Sequence, residues 1–152
     1  SAVVLFFRDA GAELNTRHED FGWTPLHFAA AFSEAPAVLQ FMLNAGADLN
    51  ARTGDGLTPL QLAAAFSEAP AVVQVLLDAG ADPNARGEVG LTPLHIAAGL
   101  SEAPAVVQVL LDAGADPSAR DDEGKVPFER IPEDSPLRST DIFWRLNEGR
   151  FE

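Results

Sequence analysis

The sequence predicts an all-α solenoid of stacked helix-turn-helix units joined by hairpin loops, on three observations. Gly22, Gly56, Gly90 and Gly124 open near-copies of one stretch at a constant spacing of 34 residues, within the roughly 20–50-residue window that marks a stacked-repeat architecture. The copies from Gly22, Gly56 and Gly90 each read Thr-Pro-Leu, an Ala-rich segment, Ser-Glu-Ala-Pro, and an apolar run closed by Ala-Gly-Ala-Asp. The 47% hydrophobic content leans on alanine, which loses no side-chain entropy in a helix and favours short, closely packed ones.

The middle copy justifies each element. Thr58 is placed to cap a first helix, with Pro59 at its first position, where a missing N–H costs nothing. Leu60, Leu62, Ala63 and Ala64 then face neighbouring units. Ser67-Glu68-Ala69-Pro70 restarts the chain, with Ser67 as a cap, Glu68 at the positive end of the dipole and Pro70 in the first turn. Val72, Val73, Val75, Leu76 and Leu77 make a second helix, stopped by Gly80 in a left-handed conformation. Residues 82–89, rich in turn formers, project as a loop to the next unit.

The ends are irregular. Ala2 to Asn15 matches only the second half of a unit. Either the chain opens on a half-repeat cap or it continues an array from upstream; Phe6 and Phe7, apolar at an uncovered end, favour the second, since arrays need polar outer faces. After Gly124 the motif decays to Val126-Pro127-Phe128-Glu129, with Pro132 and Pro136 interrupting the expected helix. A final helix is expected from Thr140-Asp141, burying Ile142, Phe143 and Leu146 with Arg145, Glu148 and Arg150 outward. The expected organisation is one domain over 1–152: half repeat 1–21, repeats 22–55, 56–89 and 90–123, and a degenerate cap 124–152.

Charge narrows the partners. A formal net charge of −13 repels nucleic-acid phosphates and anionic membranes and favours a basic or mixed-charge protein. Without cysteine there are no disulfides or thiolate metal sites. No apolar run approaches the ~18 residues of a membrane span, and the first residues lack the basic flank and cleavage pattern of a signal peptide. The chain reads as soluble, with the cytoplasm favoured.

Thr24-Pro25-Leu26-His27 with Ala29-Ala30, and Thr92-Pro93-Leu94-His95 with Ala97-Ala98, each closed by Gly-Ala-Asp some twenty positions on, strongly resemble the ankyrin repeat. The resemblance covers essentially the whole chain. It departs in two places: the period is one residue longer than usual, the extra residue falling near Phe66-Ser67-Glu68-Ala69, and Gln61 replaces the motif's His. A slightly altered interhelical turn and an unchanged fold are expected. The Ser-Glu-Ala-Pro turn and the single lysine, Lys125, associate the chain with bacterial members.

The resemblance implies a binding module rather than an enzyme, and the residues agree. His27 and His95 lie two units apart, about 20 Å at one helix-packing distance per unit, and the resemblance gives them hydrogen bonds at the start of the first helix. His18, in a first loop one residue longer than the others, has no visible partner. Asp48, Asp82 and Asp116 recur in register and are expected to brace the loops; Glu34, Glu68 and Glu102 are expected at helix N-termini. Residues 121–123 lack the alternating ligands of a calcium loop. There is no nucleophile elbow, phosphate loop or Cys/His pair. No catalytic residue, metal site, cofactor or small-molecule substrate is expected.

The candidate partner-binding residues lie on the concave face implied by the resemblance, formed by the hairpin loops and the ends of the first helices. Trp23, Leu57 and Leu91 follow the opening glycines and are expected to be exposed apolar anchors, with Phe21 beside them. Phe32, Phe66 and Leu100 make a parallel row, for which burial under the turn and exposure both stay open. Arg17, Arg52, Arg86 and Arg120 form a ladder expected to pair with the aspartates beside it. Asp55, Glu88 and Val89 complete the loop tips with Arg52 and Arg86. An alternative reading makes the chain a targeting or regulatory segment of a longer enzyme or secreted effector.

Overall fold

The computed structural model describes residues 14–151; the half-repeat helix expected before them, with Phe6 and Phe7, lies outside the described residues. Three helix pairs follow one another: α1 (Pro25–Phe32) with α2 (Pro36–Asn44), α3 (Pro59–Phe66) with α4 (Pro70–Asp78), and α5 (Pro93–Leu100) with α6 (Pro104–Asp112). Two 3₁₀ turns, Pro127–Arg130 and Pro136–Ser139, and a last helix, α7 (Asp141–Gly149), close the array. There is no strand among the described residues. The first helices stack in one row, α1 on α3 on α5 on the first 3₁₀ turn, and the second helices in another, α2 on α4 on α6 on α7.

Helices of eight or nine residues are shorter than the ~12–15 that hold alone in water, so stacking must stabilise them. The first row is enclosed: in α3 every residue from Pro59 to Ala64 is buried. Ala63, Ala64, Ala97 and Ala98 let backbones approach closely there. The second row buries one stripe, Val72, Val73 and Leu76 in α4 and Val106, Val107 and Leu110 in α6, and leaves its far side to solvent.

Each first helix starts as expected, with Thr24, Thr58 or Thr92 at the cap and proline at the first position. The second helices start differently. Proline at their first position drives the preceding residue extended, so Ala69 takes the cap place at φ −99° and ψ 101° without any side-chain bond. Ser67 instead ends α3, and its Oγ accepts the Ala69 N–H at 3.1 Å, bracing the turn. Glu68 therefore stands outside the helix, and no acidic residue occupies the first turn of α4. Three residues, Ser67 to Ala69, make the whole turn between the two helices.

At the other end Gly80, at φ 104°, allows a paired closure: its N–H bonds to Leu77 O at 3.0 Å and that of Ala81 to Leu76 O at 3.0 Å. The loops are one-rung hairpins. Thr53 N–H meets Leu57 O at 2.9 Å and Gly87 N–H meets Leu91 O at 3.1 Å, whereas the first loop closes from His18 N–H to Trp23 O at 2.8 Å, accommodating its extra residue. Asp48, Asp82 and Asp116 brace the loops by accepting the N–H two residues on at 2.9 Å.

The C-terminal cap follows the expected pattern, with Ile142 and Leu146 buried, Phe143 half-buried and Arg145, Glu148 and Arg150 outward. Truncating the fully buried Leu76 to Ala should lower the unfolding free energy by about 2–5 kcal/mol in urea denaturation, while Gln74→Ala on the exposed side of the same helix should change it by about 0.5 kcal/mol or less.

Candidate functional site

Of the exposed large apolar side chains among the described residues, Phe28, Phe32, Phe66 and Leu100 lie on the row of first helices. Phe32, Phe66 and Leu100, which end α1, α3 and α5, are 64%, 52% and 64% exposed, deciding for exposure the question left open by sequence. Aromatic rings connect the first hairpin to this row. His18 stacks on Phe21 at 5.3 Å between centroids and meets Phe28 edge-on at 6.2 Å; Trp23 lies 4.9 Å from Phe28 and 6.1 Å from Phe32; Phe32 lies 5.9 Å from Phe66. His18 thus has partners, including the Asp20 N–H at 3.3 Å from its Nδ1.

Phe28 had escaped sequence reasoning. Its in-register equivalents Leu62 and Ile96 are buried, whereas Phe28, on the first helix of the described residues, is 40% exposed. Trp144, exposed on α7, was also missed.

Trp23, Leu57 and Leu91 are half-buried rather than exposed. No helix precedes them, yet Trp23 packs on Phe28 and Phe32 of its own unit, Leu57 lies against the next hairpin, where a methyl group built on Gly87 would be 3.3 Å from its Cδ2, and Leu57 and Leu91 both pack on the core. The fully outward positions of the loops are those just before the opening glycines. Phe21, Asp55, Val89 and Glu123 occupy this place in successive units, and all four are exposed. Glu88, beside Val89, is exposed too.

The arginine ladder does not pair with the aspartates. Arg17 Nη1 donates to Arg52 O at 2.7 Å, Arg52 Nη1 to Arg86 O at 2.8 Å and Arg86 Nη1 to Arg120 O at 2.5 Å. Arg52, Arg86 and Arg120 also reach the carbonyls of Gly56, Gly90 and Gly124 in their own loops. Unpaired carbonyls at the loop bends are acceptors that a carboxylate cannot satisfy, so the guanidinium turns to them. Arg17, Arg52 and Arg86 are each a clip between consecutive hairpins. A cavity of about 500 Å³ with mixed lining lies between two such loops, bordered by Arg52, Arg86, Asn50, Asn84, Leu49 and Ala85.

Family comparisons agree with this architecture. Models described as "Ankyrin repeats (3 copies)" and "Ankyrin repeats (many copies)" match residues 1–87 and 76–131. The chain belongs to the ankyrin repeat family. No curated protein sequence matches it. Ankyrin repeats are in general protein–protein interaction modules.

The family's histidine positions are structural. His27 Nδ1 accepts the Thr24 N–H at 3.0 Å and the Thr24 hydroxyl at 2.8 Å, while Nε2 donates to Leu57 O of the next unit at 3.1 Å. His95 does the same with Thr92 and with Lys125 O, at 2.8 Å. A carbonyl only accepts, so Nε2 carries the proton and the ring is neutral. Gln61 reproduces both halves: Oε1 accepts the Thr58 N–H at 2.8 Å, and Nε2 donates to Leu91 O at 2.9 Å and Ala85 O at 3.0 Å. Glu129 takes the same place in the cap and accepts the Val126 N–H at 2.9 Å, but an ionised carboxylate has no proton to donate onward.

One polar cluster was missed by sequence reasoning. Asp121 is buried; its Oδ1 accepts the N–H groups of Glu123 and Lys125 at 2.9 and 3.0 Å, and its Oδ2 accepts Arg130 Nε at 2.7 Å and Arg130 Nη2. Burial works to raise its pKa, but these donors outweigh it and hold the carboxyl below the usual range. Asp121 stands in register with Thr53 and Gly87, and that change of residue type was the available signal. Among the described residues no group of three or more His, Asp or Glu side chains could hold a metal, and no helix is long and apolar enough to cross a membrane.

Burial lowers the pKa of His27 and of His95 from 6.5, against the raising effect of the Leu57 and Lys125 carbonyls and, at His95, of Asp121. The unfolded chain therefore takes up protons first as pH falls, and stability declines below about pH 6.5. The double variant His27→Gln/His95→Gln, built on the Gln61 precedent, should fold and should lose most of the fall in melting temperature between pH 7.5 and 5.5. Asp121, by its lowered pKa, supports the fold until the pH drops below its ordinary value of 3.8. Removing an inter-hairpin clip by Arg86→Ala should cost about 1 kcal/mol in denaturant melts.

Proposed function

We propose that this ankyrin domain is a non-enzymatic module that holds a partner protein along the row of first helices and the hairpin loops. The observation that carries it is the chain of ring contacts from Phe21 through His18, Phe28 and the half-buried Trp23 to Phe32 and Phe66, whose phenylalanines are exposed, extended by the exposed Leu100. Isolated exposed apolar residues need no explanation, but a contiguous row of them, rich in aromatic rings, has the composition of an interface centre. Phe32, Phe66 and Leu100 are the anchors. Trp23, Leu57 and Leu91 support them from half-buried positions. The outward tips Phe21, Asp55, Glu88 and Val89 set selectivity, while Arg52 and Arg86 hold the hairpins in place behind them.

The unit of binding is the whole array, with half repeat 1–21, repeats 22–55, 56–89 and 90–123, and cap 124–152. The net charge of −13 steers a basic or mixed-charge partner toward it and repels nucleic acid.

The double variant Phe32→Ser/Phe66→Ser should lose a partner that the unaltered chain captures from its source cell. The melting temperature should hold, because both rings already face solvent. Undiminished capture by the folded variant would remove this face from consideration.

A further inference from the structure

The edge where the first helices end carries a charge pattern that the hairpin edge does not. Glu34, Glu68 and Glu102 stand exposed and in register in the turn just after Phe32, Phe66 and Leu100. No lysine or arginine occurs in residues 18–51, 53–85 or 87–119, so both helices and the turn of every pair lack a basic side chain. Arg17, Arg52, Arg86 and Arg120 sit in the hairpins, at the opposite end of the first helices, about 12 Å away for eight residues of helix.

Side chains on this edge form two successive notches. Phe32, Ser33 and Glu34 face Phe66, Ser67 and Glu68 across a cavity of about 140 Å³. The latter three face Leu100, Ser101 and Glu102 across one of about 160 Å³. The serine hydroxyls are engaged with the backbone of their own turns, accepting the N–H groups of Ala35, Ala69 and Ala103, which leaves apolar walls and carboxylates as the recognition chemistry. Each notch is too small for a drug-sized ligand, which needs roughly 300 Å³ or more, and suits the end of one long side chain. Apolar walls that take a methylene stem, an aromatic face and a carboxylate rim together select lysine or arginine.

The spacing of the notches selects the backbone that presents those cations. Stacked helices lie about 8–10 Å apart. In an α-helix, residues seven apart are separated by about 10.5 Å and lie on one face. In an extended strand, residues three apart span about 10 Å but point to opposite faces, while two and four residues give about 6.6 and 13 Å.

We propose that this edge seats a cationic amphipathic α-helix of a partner protein, with Arg or Lys side chains seven residues apart entering successive notches and apolar residues between them lying on Phe32, Phe66 and Leu100. The proposal rests on the protein-binding reading and adds the chemistry and register of the partner.

Calorimetric titration of the full chain with synthetic helical peptides of about 20 residues tests it. One peptide carries Arg every seven residues with Leu three and four positions after each; a second has the same composition with Arg every five; a third has Glu for Arg. The first should bind, about tenfold or more weaker to Phe66→Ala and about two- to fivefold weaker to Glu68→Gln, whose carboxylate serves both notches, with melting temperatures unchanged. Absence of binding, equal binding of the misregistered peptide, or indifference to Glu68→Gln overturns the cationic-helix proposal. If the first peptide fails while capture of a cellular partner still depends on Phe32 and Phe66, the binding face stands and only the partner's chemistry is wrong; capture indifferent to both phenylalanines removes the face itself.

Discussion

The structure depends on one side chain per unit that is bonded in two directions. His27, Gln61 and His95 each accept a hydrogen bond from the cap of their own helix and donate one to a carbonyl of the following unit. The same group therefore starts a helix and fixes where the next hairpin lies. These side chains are fully buried, where an unpaired donor or acceptor would cost about 1–3 kcal/mol, so neither half of the bond can be given up without loss. The ladder ends at Glu129, which keeps the accepting half and has nothing to donate.

Around that ladder the forces divide by region. Helices too short to persist alone are held by alanine-lined contacts in the first row and by a Val-Val-Leu stripe in the second. The hairpins, which bury little, are joined by arginine clips to backbone carbonyls and by bonds such as Gly54 N–H to Phe21 O at 2.9 Å. This division leaves the side chains at the exposed ends of the first helices and at Phe21 and Val89 of the loop tips outside these hydrogen bonds. Phe32, Phe66 and Leu100 can differ from copy to copy because no stacking contact requires a given residue there.

Much of this was legible in the sequence. The period, the Thr-Pro starts, the glycine stops and the decay of the last copy all came from local rules that neighbouring residues enforce on one another. Local reasoning failed where the next unit intervenes. Ser67 looked like a cap, but Pro70 forces Ala69 into that place. The arginines looked paired to aspartates four residues away, but the carbonyls of the following hairpin lie within reach of Arg17, Arg52 and Arg86. Trp23, Leu57 and Leu91 looked exposed because no helix precedes them; the rings of Phe28 and Phe32 flank Trp23, and the hairpin some thirty residues on approaches Leu57. Asp121 with Arg130 carried no periodic signature, since a buried ion pair occurring once leaves no echo in other copies.

The sequence by itself determined the architecture and its family, because a repeat states the same local instructions several times and stacking is the single way each copy can bury its apolar face. Tertiary structure alone decided which members of each periodic row face solvent. Exposure depends on what the preceding and following units place above a residue, as Phe28 shows beside its buried equivalents Leu62 and Ile96, and that information is absent from the residue's own neighbourhood.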